Sequence, residues 1–257
     1  MVREEEVISI QEITSILNNY RIGKKPLARL LGWGETTIIR YIDGDVPTKE
    51  YSDRLKMLSN SPSYYYDLLL NHKDNLTEVA FNKSKKAVLG RMTGSKIRMV
   101  AQFFINYYHE EITALQIQTL LYFSQGFFLG FYDVALFEEE YRITTNNHPY
   151  IALFEELSCA PLRYFDLGGK MFTEKEEVLL TTIAEAFSWY GTRALEELAE
   201  KERNTLKISR DKENNKVVTE NSIRTHFKKL MEQDGIKEVE HIGRYIEKAV
   251  FELKHGE

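Results

Sequence analysis

Apolar residues recur along the chain at the three- and four-residue spacings of an α-helix, and residues 113–130 (TALQIQTLLYFSQGFFLG) carry that pattern to its limit. Leu115, Leu120, Leu121, Phe127, Phe128 and Phe131 fall close to helical spacing, and Tyr122, Phe123 and Leu129 extend the apolar surface most of the way round. Thr113 followed three residues later by Gln116 is a capping-box pattern that sets the start. A helix apolar on nearly every side belongs inside a domain, with other helices packed around it. At about 27 Å it crosses a small domain. It is too short, and too interrupted by Gln, Ser and Gly, for a membrane span.

Ahead of it, Ile10, Ile13, Ile16 and Leu17 share one helical face. Leu27, Ala28 and Leu31 predict a two-turn helix that Gly32 ends, Trp33–Gly34 a tight connector, and residues 35–41 a second short helix with Ile38 and Tyr41 inward. Residues 49–60, with Leu55 and Leu58, and 61–71, with Tyr64, Leu68 and Leu69, complete a bundle of five helices. Residues 72–94 are polar and lysine-rich, and read as a linker with some helix. Ser95 then caps a helix with Ile97, Val100, Phe103 and Tyr107 inward. Beyond the central helix lies a loop-rich passage. Thr173 with Glu176 makes a second capping box, and Leu179, Ile183, Phe187 and Tyr190 continue it to Gly191, a helix terminator. Thr192 opens another helix, a charged loop runs to about Lys216, and two further helices finish the chain. The expectation is an all-α (mainly) fold: a five-helix bundle over 1–71, a linker over 72–94 and a larger, mainly helical domain over 95–257.

Composition adds constraints. The 257 residues are 43% apolar and 28% charged, as in an ordinary soluble globular protein. Residues 1–100 hold 16 Lys+Arg against 12 Asp+Glu, whereas the other 157 hold 18 against 27. An acidic rear surface repels nucleic acid and suits a basic protein partner. The acidic opening MVREEEV is the opposite of a secretion signal, so a cytoplasmic location is expected. Cys159, the single cysteine, excludes an intrachain disulfide and a multi-cysteine zinc site. The six histidines form no ligand spacing, HEE at 109–111 lacks the second His of a zinc-protease motif, and GWGETT lacks the third glycine of a dinucleotide loop. Neither an enzyme, a metal nor a cofactor is indicated.

Two short helices joined by a tight turn are the helix-turn-helix unit, whose second helix enters the DNA major groove. On LARLLG, two connector residues, ETTIIRY and DGDVPT, the segment resembles the helix-turn-helix of phage-repressor-like and MqsA-type antitoxin proteins. The resemblance puts the family's central alanine on Ala28, its turn glycine on Gly32, its buried aliphatic on Ile38 and its terminal glycine on Gly44. It also implies that Glu35, Thr36, Thr37 and Arg40 read bases. A guanidinium at Arg40 bonds a guanine edge bidentately. Lys24, Lys25 and Arg29 are the expected phosphate contacts. Ile39 departs from the pattern, standing where a polar residue usually faces the groove, and Asp43 and Asp45 dilute the local positive charge.

Residues 95–230 resemble the Panacea (SocA-like) domain of antitoxins. The resemblance rests on LQIQTLLYFSQGFFLGFYDVALFEEE, FTEKEEVLLTTIAEAF, WYGTRALEELAEKERNTLK and VVTENSIRTHFKKL, in that order. His148–Pro149 stands where the family has Gly-Pro, and the family's tryptophan is missing there. The combination implies an antitoxin that neutralises a cognate protein toxin by binding it and represses its own operon, as a homodimer on operator DNA, with no membrane association. Tyr122, Gln125, Phe128, Phe137, His148 and Pro149 are then the expected toxin contacts, as exposed members of the signature. Two other readings stay open: a helix-turn-helix regulator whose rear domain senses a ligand or dimerises, and a proteolytic adaptor for the toxin.

Overall fold

A computed structural model of the chain describes residues 7–144, 148–159, 161–165 and 171–255. Thirteen α-helices and three short strands are present among them, which is the mainly helical architecture that the periodicity implies. The chain divides into two compact units, Met1–Gly94 with Glu155–Arg163, and Ser95–Phe154 with Tyr164–Glu257.

The first unit contains α1 (Ile10–Asn19), α2 (Lys24–Leu30), α3 (Thr37–Ile42), α4 (Lys49–Asn60), α5 (Pro62–Asn71), a 3-10 turn at Lys73–Asn75 and α6 (Glu78–Thr93). Ser9 and Glu12 form a capping box at the start of α1. Arg21, with φ at +48°, closes its end in a left-handed turn. Ile13 and Ile16 are buried as expected, but Ile10 is exposed, and on α5 Tyr65 and Tyr66 face inward rather than Tyr64.

The expected linker is a structural element. Most of 72–94 is α6, which packs on α5 and buries Ser84, Val88 and Met92. Ser84 donates its hydroxyl to the Tyr20 carbonyl at 2.8 Å, so the Tyr65 hydroxyl beside it is left to donate to Ser84. The rings of Tyr20 and Tyr65 stack with centroids 3.7 Å apart, and the Tyr20 hydroxyl donates to the Leu58 carbonyl at 2.7 Å. Burial pushes both phenols well above their ordinary range. A solvated-looking run of lysines hid this helix, because its buried strip of Ser84, Val88 and Met92 is only one residue wide.

The second unit holds α7 (Lys96–Tyr107), α8 (Ala114–Tyr132), β1 (Tyr141–Arg142), α9 (Ile151–Ser158, through which the division passes), α10 (Glu174–Phe187) and α11 (Thr192–Asn204). It continues with β2 (Ile208–Arg210), β3 (Lys216–Val218), α12 (Glu220–Gln233) and, after a 3-10 turn at Val239–His241, α13 (Ile242–His255). The expected charged loop is therefore a hairpin. Its strands join β1 in an antiparallel sheet of order β1-β3-β2, with Tyr141 and Ile208 both opposite Val218. Asp211 closes the hairpin by accepting from the backbone N–H groups of Glu213 and Asn215. Gly191 does not terminate α10, which ends at Phe187; it is the extended N-cap of α11. Ser95 precedes α7 but donates to Glu139 at 2.6 Å instead of capping the helix.

The helix α8 is the axis of this unit. Residues 117–129 are buried without interruption, and α7, α10, α11 and α12 pack around them. Both capping boxes form, Thr113 with Gln116 and Thr173 with Glu176. Gly126 gives α8 its closest neighbour: a Cβ there would lie 2.1 Å from the ring of Phe227 on α12. Phe227 in turn meets the edges of Tyr122, Phe123 and Phe127 at centroid distances of 5.5, 6.1 and 5.0 Å. One turn on, a Cβ at Gly130 would meet the Met231 sulfur at 2.5 Å. Small residues at this four-residue spacing admit α12, and no smaller side chain exists.

Gly126→Ala is expected to destabilise the protein by about 1–3 kcal/mol through overpacking, read as a lowered denaturant midpoint. Gly90 of α6 has open space at its Cβ, so Gly90→Ala is expected to raise stability by about 0.5–1 kcal/mol.

Candidate functional site

The first unit sets α2 and α3 by the turns that end them. At the end of α2, Gly32 takes φ +71°, the Trp33 N–H donates to the Ala28 carbonyl at 2.8 Å and the Gly32 N–H to the Arg29 carbonyl at 3.0 Å. At the end of α3 the same arrangement recurs, with Gly44 at φ +116°, Asp45 N–H to Arg40 carbonyl at 2.9 Å and Gly44 N–H to Tyr41 carbonyl at 3.3 Å. Both are Schellman motifs, and a Cβ at these positive φ angles is unfavourable. The chain therefore leaves α2 and α3 at defined angles. Leu27, Ala28 and Ile38 are fully buried beneath, with Tyr41 nearly so. The Trp33 ring lies 4.3 Å from that of Tyr51, which meets the edge of Tyr41 at 6.3 Å. Trp33 is thus an anchor of the turn as well as a connector.

Above that base, Thr36 and Arg40 are exposed and Thr37 and Ile39 half-buried. The second helix starts at Thr37, so Glu35 and Thr36 belong to the approach and not to the helix. Lys25 and Arg29 are exposed on α2, and Lys24 is half-buried. Several of these cations are held by carboxylates of the same unit. Arg29 grips one oxygen of Glu35 through Nε, at 2.8 Å, and through Nη2, while Lys25 lies 3.7 Å from the other oxygen. The hydrogen bond from Arg29 and its charge hold the Glu35 carboxyl below the ordinary carboxylate range. Arg40 Nε donates to Asp45 at 2.7 Å. Asn75 donates its amide to the Arg29 carbonyl at 3.3 Å, which sets the exposed Lys73 turn beside α2. These pairings were invisible in spacing alone.

The expected partner contacts of the second unit are placed differently. Tyr122, Gln125, Phe128 and Phe137 are buried, Tyr122 to 1% exposure, and offer no free surface. Gln125 is a clamp: its Nε2 donates to the Phe137 carbonyl at 2.8 Å, and its Oε1 accepts from the N–H groups of Leu136 and Phe137 at 2.8 and 3.3 Å. That ties the segment after α8 back onto the helix. Pro149 is buried, and its carbonyl accepts from the Arg142 N–H at 3.2 Å. His148 is half-buried and stacks on Phe154 with centroids 3.6 Å apart. Thr145, Asn146 and Asn147 of the same loop, and residues 166–170 of the later turn, lie outside the described residues. Tyr122, Gln125 and Phe128 are core because a helix apolar nearly all round is enclosed by its neighbours.

A polar cluster that periodicity had not singled out lies among α11, α12 and α13. Glu202 accepts from the Tyr245 hydroxyl at 2.7 Å and meets His226 Nε2 at 2.6 Å. Thr205 gives its one hydroxyl proton to the Glu202 carbonyl at 2.6 Å, so it accepts from His226 Nδ1 at 3.1 Å. Burial and then the Glu202 charge push the Tyr245 hydroxyl well above its ordinary range. The cluster floors an open cleft of about 220 Å³ that Lys201, Lys229 and Lys248 also line. A signal existed: Glu202 extends the buried face of Leu195, Leu198 and Ala199 at helical spacing. Among the described residues no three His, Cys, Asp or Glu side chains converge as metal ligands, and no helix is long and apolar enough to cross a membrane.

Gln125→Ala leaves two N–H groups and a carbonyl unpaired in the interior, and is expected to cost about 2–4 kcal/mol in chemical denaturation. Gln125→Glu, which keeps the acceptor and loses the donor, is expected to fall between it and the wild type. Compared with models of known protein families, with curated proteins and with solved structures, the chain matches none.

Proposed function

We propose that this protein is a cytoplasmic antitoxin-like regulator without catalytic activity. Its first unit binds operator DNA as a homodimer, and its second unit binds and neutralises a protein toxin encoded beside it. The observation that carries the DNA half is the pair of Schellman turns at Gly32 and Gly44, which hold α3 with Ile38 inward and Arg40 and Thr36 facing solvent. A recognition helix needs that division between an anchored base and a free reading edge. Arg40 would read a guanine edge, Thr36 and Thr37 would contact a base or phosphate, and Lys24, Lys25 and Arg29 would meet the backbone.

Glu35 and Asp45 shape that binding. Each occupies a cation that a phosphate or base would take, so DNA must displace it. This lowers affinity for arbitrary sequence and leaves more of the discrimination to base contacts. The partner half rests on the resemblance of the second unit to antitoxin domains and on the acidic balance of residues 101–257, which favours a basic partner. One observation favours a second reading, a regulator whose rear unit senses a small ligand: the cleft over Glu202 and His226.

Arg40→Ala is expected to weaken specific operator binding by about tenfold to a hundredfold in a gel-shift titration, with toxin binding unchanged. Glu35→Gln is expected to strengthen binding to random duplex and steepen its salt dependence, since Arg29 and Lys25 are released for phosphates. Growth rescue tests the other half: the neighbouring reading frame is induced alone, then with the full chain. A harmless neighbour, or toxicity undiminished by folded protein, removes the antitoxin reading.

A further inference from the structure

The second unit exposes its largest aromatic side chain where α10 turns into α11. Trp189 is 85% exposed. A tryptophan offers a large apolar area for burial, and it is among the residue types enriched at binding hot spots. Beside it in the chain begins a groove of about 440 Å³, lined by Gly191, Thr192, Ala194, Val250 and Leu253 on α11 and α13. Gly191 and Ala194 keep this wall low, while the aliphatic side chains from α13 give it an apolar floor. Phe251, next to Val250, is 58% exposed.

The surroundings are acidic. Glu197 lines the groove, Glu185 is exposed on the last turn of α10, and the exposed Glu247 is close enough that its charge, after burial, helps to push up the Tyr190 hydroxyl. The cation among the described lining residues, Arg193, is paired with Glu197 at 2.9 Å. Arg193 and Glu197 balance each other on the wall, and the exposed carboxylates of Glu185, four residues before Trp189, and of Glu247, beside Tyr190, leave the surroundings negative; that charge disfavours a second copy of the same face. It equally disfavours an anionic lipid surface or nucleic acid.

We propose that Trp189 and the adjoining groove are a docking surface for a basic, amphipathic segment of a partner protein. The segment seats an aliphatic side chain between α11 and α13, while its Lys or Arg side chains meet Glu185, Glu197 and Glu247 and stack on the indole. This rests on the proposal that the second unit binds a protein, and it moves the contact surface away from the buried signature of α8.

The test uses the full chain and a fluorescein-labelled amphipathic peptide of Lys and Leu at helical spacing, titrated by anisotropy at 0.15 M salt. A Glu–Leu peptide of the same pattern and a Lys–Ser peptide are the controls. Saturable binding of the Lys–Leu peptide alone is expected. Trp189→Ala and the pair Glu197→Lys with Glu247→Lys should each weaken it at least tenfold with unchanged circular dichroism, and Arg40→Ala should leave it intact. Equal binding of the Lys–Ser peptide, no binding, or binding undiminished in those variants overturns the proposal. So does sedimentation showing a dimer that Trp189→Ala dissolves, which would make a second copy the occupant. A harmless neighbouring reading frame would remove the toxin from the proposed function and leave this outcome untouched, so the two failures are distinguishable.

Discussion

The second unit depends on the contact of a glycine with a phenylalanine. Phe227 enters the space that Gly126 leaves on α8, and three aromatic rings of α8 then meet it edge to face in the buried interior. Close approach fixes the separation of the two helices, and with it the positions of the elements that flank α12. The hairpin ahead of α12 pairs with β1, and the segment between α8 and β1 is held by Gln125. A helix so fully enclosed has no surface to spend on a partner. Its hydrogen-bonding residues serve the fold, and recognition falls to the outer layer.

The first unit solves a different problem with different chemistry. It is small, and an all-aliphatic core of this size is marginal. The stacked Tyr20 and Tyr65, tied through Ser84 to α6 and through Leu58 to α4, extend the core by hydrogen bonds that link elements far apart in sequence. That leaves α3 free to present its outer edge. The helix α3, of six residues, is too short to be stable alone. It is held by Ile38 and Tyr41 below and by glycine turns on either side.

Electrostatics divides the two units. In the first, Lys25, Arg29 and Arg40 are partly neutralised by Glu35 and Asp45, which makes the free surface less cationic than its lysines and arginines suggest. In the second, an apolar groove whose wall carries the Arg193–Glu197 pair begins next in the chain to an exposed tryptophan. Under the proposed function, that division would suit two partners of opposite kind, an anionic duplex and a basic protein.

Local pattern alone determined much of this protein. Helical periodicity located the helices other than α6 and α9, capping boxes set the starts of α8 and α10, and Gly32 and Gly44 marked the turns around α3, since each of these depends on residues within a few positions of one another. The enclosure of α8 was also legible, because a helix apolar on every side has one environment. Tertiary structure decided what depends on neighbours distant in sequence. It made 72–94 a packed helix through one serine facing two tyrosines, and turned a charged loop into a hairpin whose strands, three residues each, are too short to show alternation. It also took Tyr122, Gln125, Phe128 and Phe137 out of contention as surface. Periodicity says which residues share a face, and only packing says what that face meets; a buried clamp and an exposed hot spot can have the same spacing.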